Sequence, residues 1–187
     1  MKQFEVTMAG FGGQGIMTAG QLLAYSGMRE DKKVVWLPSY GPEMRGGTAY
    51  CTIVISDERI GSPIINSPMG ICVFNRPSFD KFEPMVKPGG LFIVNSSLIN
   101  VSSKRKDITQ LLVPANEIAH KANNPKATNI VILGAFIGAT GILKYETVEA
   151  TLKDKLGHKK DLLKSNLIVL KQGFDFALEH ITKKVKV

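Results

Sequence analysis

Cysteine is scarce. Cys51 and Cys72 are the only two in 187 residues, and both fall in apolar, strand-like runs. A cubane iron–sulfur cluster normally takes four thiolates, so the chain is a poor holder of one alone. With no secretory signal, the pair reads as two buried thiols rather than a disulfide. Histidine is no richer. His120, His158 and His180 lie in helical or polar segments of the second half, and no His/Cys/Asp cluster has metal-ligand spacing. No nucleophile with an adjacent base emerges. No apolar run reaches the ~18 residues of a membrane span, and a cytoplasmic protein is expected. Internal repeats, low-complexity tracts and domain boundaries are also missing, so 1–187 reads as one domain.

Acidic residues are outnumbered, 16 against 24 Lys/Arg, for a net charge of +8. Residues 151–187 hold nine Lys and four acids, or +5 of that excess. No aromatics interleave with these lysines and no helix-turn-helix pattern accompanies them, which argues against nucleic acid. A solvated lysine-rich helix face is the plain reading, and an acidic protein partner is the alternative.

Glycine, by contrast, is plentiful, with 18 residues clustered in loops. The first cluster is Gly10-Phe11-Gly12-Gly13-Gln14-Gly15. It follows a strand expected over 3–9 and precedes a helix expected over 15–29. Such a turn can present bare N–H groups and a helix N-terminus to an anion. It also fits Gly-x-Gly-x-x-Gly, read at Gly10, Gly12 and Gly15. A dinucleotide site further needs an acid about 20 residues on, at the end of the second strand. That stretch reads Trp36-Leu37-Pro38-Ser39 and contains none. A Walker loop needs Gly-Lys-Ser/Thr, and here Gly15 is followed by Ile16-Met17-Thr18. What remains is either a tight βα turn or a ligand or partner contact, to which the Gln14 amide could contribute.

The second cluster, residues 38–47, has two prolines and three glycines in ten positions, which excludes regular structure. It leaves the second strand, expected over 33–37. If that strand runs parallel to the first, both loops share the sheet edge where open α/β sheets bind ligands. Arg45 offers a fork of donors suited to phosphate or carboxylate. Gly46 and Gly47 allow close approach, and Tyr40 can stack or donate. In the plain alternative, Glu43 and Arg45 are a solvated pair on a turn.

Further strands are expected over 48–56, 70–75, 91–95 and 110–113, and helices over 77–85, 114–121, 129–140, 146–156 and 160–182. Pro77 and Pro114 are placed at first helical positions. The helix over 129–140 is apolar all round and reads as buried, with Gly141 as its cap. Along the last helix Leu163, Leu167, Leu170, Phe174, Ala177 and Ile181 form one face that closes a core or an interface. Strand–turn–helix–strand at the start is a βαβ unit whose crossover should be right-handed. The expected architecture is α/β: a Rossmann-like βαβ sheet with helices on its faces and a long C-terminal helix.

With these residues in view, the chain resembles the gamma subunit of the 2-oxoacid:ferredoxin oxidoreductases, which act on pyruvate, 2-oxoglutarate or 2-oxoisovalerate. The resemblance is carried by Gly10–Gly15 with Ala19-Gly20 and Leu23-Ala24, by the whole loop Pro38–Gly47, by Val54–Asp57 with Ile60 and Ser62-Pro63, and by Asn129, Leu133–Ala135, Asn166 and Gly173. It covers essentially the full length and implies the following. The complex decarboxylates a 2-oxoacid on thiamine diphosphate, passes electrons through iron–sulfur clusters to ferredoxin, and transfers the acyl group to coenzyme A. Thiamine diphosphate, magnesium and the clusters belong to alpha, beta and delta partners, and this chain binds no cofactor alone. It has no catalytic residue and would be inactive in isolation. Gly12, Gly13, Gln14, Gly15, Tyr40, Gly41, Glu43, Arg45, Gly46 and Gly47 would face coenzyme A, as a shared ligand, or a partner subunit. An isolated chain could dimerise through its last helix or loop edge. A free-standing nucleotide-binding oxidoreductase and an indolepyruvate-type beta subunit are the alternatives.

Overall fold

The computed structural model describes residues 3–39, 48–157 and 159–181. Its frame is one six-stranded mixed sheet, in the order β2-β3-β1-β4-β5-β6. The strands are β1 Gln3–Phe11, β2 Lys33–Ser39, β3 Thr48–Ser56, β4 Gly70–Val73, β5 Leu91–Asn95 and β6 Thr109–Val113. β1, β4, β5 and β6 are mutually parallel neighbours. β3 is antiparallel to both β1 and β2.

The expected βαβ start is thereby modified. β1 and β2 do run in the same direction, but β3 sits between them. The cause is the connection. β2 and β3 are antiparallel neighbours, and an antiparallel pair needs no crossover helix between its strands. Both loops of interest therefore do leave the same sheet edge.

The helices are α1 Ile16–Arg29, α2 Arg76–Phe82, α3 Ala115–Lys121, α4 Thr128–Thr140, α5 Tyr145–Leu156 and α6 Lys160–His180. Strand side chains alternate between two cores. Phe4, Val6, Met8, Ile53, Cys72, Phe74 and Ile93 join the larger core with α1 and α3–α6. Ile71, Val73, Phe92 and Val94 join the smaller core with Phe79 and Phe82 of α2. Near-continuous apolar strands such as Leu91–Asn95, buried throughout, follow from this double coverage.

Residues Asn129–Ala139 of α4 are all buried. α6 crosses α4 so closely that a Cβ on Gly134 would stand 2.2 Å from the Leu170 carbonyl oxygen. One on Gly173 would stand 2.1 Å from that of Val131. The expected apolar face of α6 does close the core, with Leu170 and Ala177 buried and Leu163, Leu167, Phe174 and Ile181 packed beside them. Gly141 ends α4 with φ 61, as expected of a left-handed cap.

Two expected helix starts shift. α2 begins at Arg76, because the Asn75 side chain caps it by accepting from the Ser78 N–H at 2.9 Å. α3 begins at Ala115, with Pro114 in the capping position.

Candidate functional site: the carboxyl edge of the sheet

At the end of β1 the chain turns through Gly12 and Gly13, both exposed, into α1. Gly13 has φ 94 and Gly15 has φ 74, backbone that favours glycine. Gln14 engages its side-chain oxygen within the turn. Its Oε1 accepts from the Phe11 N–H at 2.7 Å and from Asn75 Nδ2 at 3.2 Å. Its own N–H donates to the Phe11 carbonyl at 3.2 Å. Gln14 therefore clasps the turn with its carbonyl oxygen. Gly10 must lack a side chain here, since a Cβ would lie 2.6 Å from that oxygen and 2.9 Å from Phe74 Cβ.

The clasp begins a row of carboxamides along the sheet edge. Asn75, after β4, joins Gln14 to the start of α2. Asn95, at the end of β5, is fully buried and donates to Asn116 Oδ1 at 2.9 Å. The Asn116 N–H in turn donates to Ser97 Oγ at 3.0 Å. On the other side, Asn129 Nδ2 donates to the Gly15 carbonyl at 3.0 Å, tying the first turn of α4 to the entry of α1. A Cβ on Gly15 would meet Asn129 Nδ2 at 2.5 Å.

A cleft of about 430 Å³ opens among Gly13, Gln14, Asn116, Pro125, Lys126 and Thr128. Among the described residues Lys126 is its one charged lining residue, and none of them lines it with a carboxylate. The starts of α1 and α4 both border it, and helix N-termini carry partial positive charge and unpaired N–H groups. The arrangement suits an anion with several acceptor oxygens, such as a phosphate or carboxylate.

Tyr40, Gly41, Glu43, Arg45, Gly46 and Gly47 lie outside the described residues. The ends of their loop are placed: Ser39 pairs with Tyr50, and Thr48 pairs with Phe11, the last residue before the glycine turn. The two loops thus depart from adjoining positions. Asn75, Asn95, Asn116 and Lys126 were not singled out from sequence. Asn75 before Arg76-Pro77 did carry a helix-cap signal, but the alignment of the carboxamides depends on strand register.

The cysteines stand apart on β3 and β4, which β1 separates, and both are free and buried. Burial pushes the Cys51 thiol up to about 12 and the Cys72 thiol up as well. Neither has the character of a ligand or nucleophile. Among the described residues no group of three or more His, Cys, Asp or Glu is arranged to hold a metal, and no helix is long and apolar enough to cross a membrane. His120 is exposed on α3 and His180 stacks on Phe176 at the end of α6, and neither is among the cleft's lining residues.

Known proteins align with this chain over nearly its whole length. It is 38% identical over 181 residues to the ketoisovalerate oxidoreductase subunit VorA of Methanothermobacter thermautotrophicus, covering 96% of this chain but only 37% of VorA. It is 33% identical to the 2-oxoglutarate synthase subunit KorC of Methanocaldococcus jannaschii, with 94% of each covered. The fold matches a keto/oxoacid ferredoxin oxidoreductase gamma subunit from Geobacter sulfurreducens with a TM-score of 0.82 and 26% identity, over 94% of this chain and 99% of that one. It also matches part of the 2-oxoglutarate:ferredoxin oxidoreductase of Magnetococcus marinus, solved with 2-oxoglutarate, coenzyme A and succinyl-CoA bound. There the TM-score is 0.90 at 22% identity, over 98% of this chain and 32% of that one. The sequence profile of the family described as pyruvate ferredoxin/flavodoxin oxidoreductase matches residues 5–176. The chain belongs to the pyruvate ferredoxin/flavodoxin oxidoreductase family.

Proposed function

We propose that this chain is the gamma unit of a thiamine-diphosphate-dependent 2-oxoacid:ferredoxin oxidoreductase, and that its carboxyl-edge cleft receives phosphate groups of coenzyme A. The observation that carries the reading is the cleft itself. Lys126 and two helix N-termini converge there, and among the described residues no carboxylate or thiol opposes them. Such an arrangement can hold and orient an anion. On this reading the reactive groups come from partner chains.

The donor set supports that division. Two separated, buried thiols do not fit an iron–sulfur cluster, and the described residues offer no group for a diphosphate-bound magnesium ion. Thiamine diphosphate, magnesium and the clusters are assigned to alpha, beta and delta partners, with ferredoxin reached through them. A 2-oxoacid with coenzyme A and oxidised ferredoxin would give acyl-CoA, carbon dioxide and reduced ferredoxin. This chain's part is to anchor the coenzyme while its thiol extends to the partner's site. Arg45, on the adjoining loop, is a second candidate anchor.

The free-standing dinucleotide reading loses support from the topology. With β3 inserted, the end of β2 stands two strands from β1, about 10 Å away. A ribose contact from there would be out of reach even if β2 ended in an acid.

In the assembled enzyme, Lys126→Ala should raise the apparent KM for coenzyme A about tenfold, as the lysine is exposed and screened. Arg45→Ala should raise it about 10- to 100-fold, the range for a charged hydrogen bond of about 1.5–3 kcal/mol. The KM for the 2-oxoacid should stay unchanged. Equal effects on both substrates would reduce the cleft and loop to structural roles.

A further inference from the structure

Given the reading that the cleft receives phosphate groups of coenzyme A, we propose that Gln14 and Asn116 are a matched pair of side-chain donors to the phosphate oxygens. Each amide is locked with its oxygen inward and its NH2 group outward, and Asn95 positions Asn116. Both Gln14 and Asn116 are half-buried, and both line the cleft beside Lys126. A carboxamide has an acceptor end and a donor end of nearly equal size. Its bonding partners decide which end meets a ligand.

For Gln14 the deciding partner is backbone. The Phe11 N–H can only donate, and it meets Oε1 at 2.7 Å. Asn75 Nδ2 donates to the same oxygen at 3.2 Å, and Asn75 is itself oriented by its cap, in which its Oδ1 accepts from the Ser78 N–H. Turning the Gln14 amide over would set its NH2 group against two donors. Gln14 Nε2 is therefore the free end, and among the described residues it has no acceptor.

For Asn116 the deciding group is the Phe74 carbonyl, which can only accept. Asn95 Nδ2 donates to it at 3.4 Å and to Asn116 Oδ1 at 2.9 Å. Asn95 is fully buried, and in this orientation its own Oδ1 is buried without a donor among the described residues. A buried acceptor left unpaired is a cost. The orientation that incurs it is the one that leaves Asn116 Nδ2 as the free end. That nitrogen too has no acceptor among the described residues. The cleft thus receives N–H groups from the glycine turn and from the start of α3, with the Lys126 cation beside them. Donors of fixed direction suit charged oxygens, whose hydrogen bonds are stronger than those of neutral acceptors. A ligand presenting N–H groups would meet hydrogen against hydrogen at both amides.

The test is the kinetics of the assembled enzyme. Gln14→Glu and Asn116→Asp each keep the inward acceptor oxygen and replace the outward NH2 group with a charged oxygen. Each should raise the KM for coenzyme A about tenfold or more, with the melting temperature near the parent's and the KM for the 2-oxoacid unchanged. Asn95→Leu frees the Asn116 amide to turn, so it should raise the KM for coenzyme A by a smaller factor than Asn116→Asp. In an Asn116→Ala background the same change should add nothing. A further rise in that background would make Asn95 a general structural residue and overturn its positioning role. An unchanged KM for coenzyme A in either Gln14→Glu or Asn116→Asp, while Lys126→Ala raises it, would overturn the donor pair and leave the coenzyme reading of the cleft standing. If Lys126→Ala is silent as well, that reading fails and the pair falls with it.

Discussion

Gln14 has a structural role that its position among four glycines did not show. Its carbonyl oxygen accepts from the Phe11 N–H and from Asn75, while the residue also lines the cleft. Gln14→Ala should therefore cost about 1–3 kcal/mol, by leaving a backbone N–H and a mostly buried amide without their acceptor. For a chain of this length that is a fall in Tm of several degrees. Gln14→Glu keeps an acceptor oxygen and should recover most of the loss. Thermal melts of the two variants check this, and an Ala variant as stable as the parent would contradict the clasp. Lys126 shows the reverse case. One lysine among many in a basic chain has no distinguishing signal, and only the turn 125–127 before α4 sets it opposite the glycines.

Among the elements, the α4–α6 pair bears the strongest constraint. Its period was visible in the sequence: α4 is apolar all round, and α6 has an unbroken stripe at spacing 3 and 4. Gly134 lay in the helix read as buried and Gly173 stood out only through the family resemblance, and which backbone each one meets depends on where the helices cross. Gly173→Ala would drive a methyl into the Val131 carbonyl at 2.1 Å, where backbone on both sides limits relief. A loss of about 3 kcal/mol or more is expected, at the upper end of overpacking. That corresponds to a fall in Tm of roughly 6–12 °C. Thermal or urea unfolding measures it, and a change under about 1 kcal/mol would mean that the crossing is looser than described. The strands were legible too, since β-branched and aromatic runs bounded by Gly and Pro stand out. Their order was not, because β3 looks the same whether it pairs parallel or antiparallel.

For the whole molecule, the two buried thiols set a limit in alkali. Cys51 ionises near its ordinary value of 9.0 when unfolded but only near about 12 when folded. Between those values the unfolded chain has lost its proton and the folded chain still holds it, so stability falls as pH rises. The stability is fully present below about pH 9 and declines above it by up to ~1.4 kcal/mol per pH unit per thiol. Cys72, shifted in the same direction, adds to the slope. Urea midpoints measured from pH 7 to 11 should be flat and then drop, and Cys51→Ala should flatten the decline. A midpoint that rises above pH 9 would contradict the buried-thiol description. The family assignment also belongs at this scale, since it rests on 5–176 together rather than on either loop.

The sequence by itself determined the class of fold, the helix and strand content, the glycine turn, the buried helix over 129–140, the apolar face of the last helix and the family. These are local or periodic signals: turn residues with restricted φ, apolar spacing of 2 or 3.6, and motifs contiguous in the chain. Only the tertiary structure decided that β3 lies between β1 and β2, that Gln14 locks its own turn, and that Asn75, Asn95, Asn116 and Lys126 meet at one edge. Those residues are tens of positions apart. What brings them together is hydrogen-bond register between strands, and register is fixed by the packing of the whole sheet against its helices rather than by any one segment.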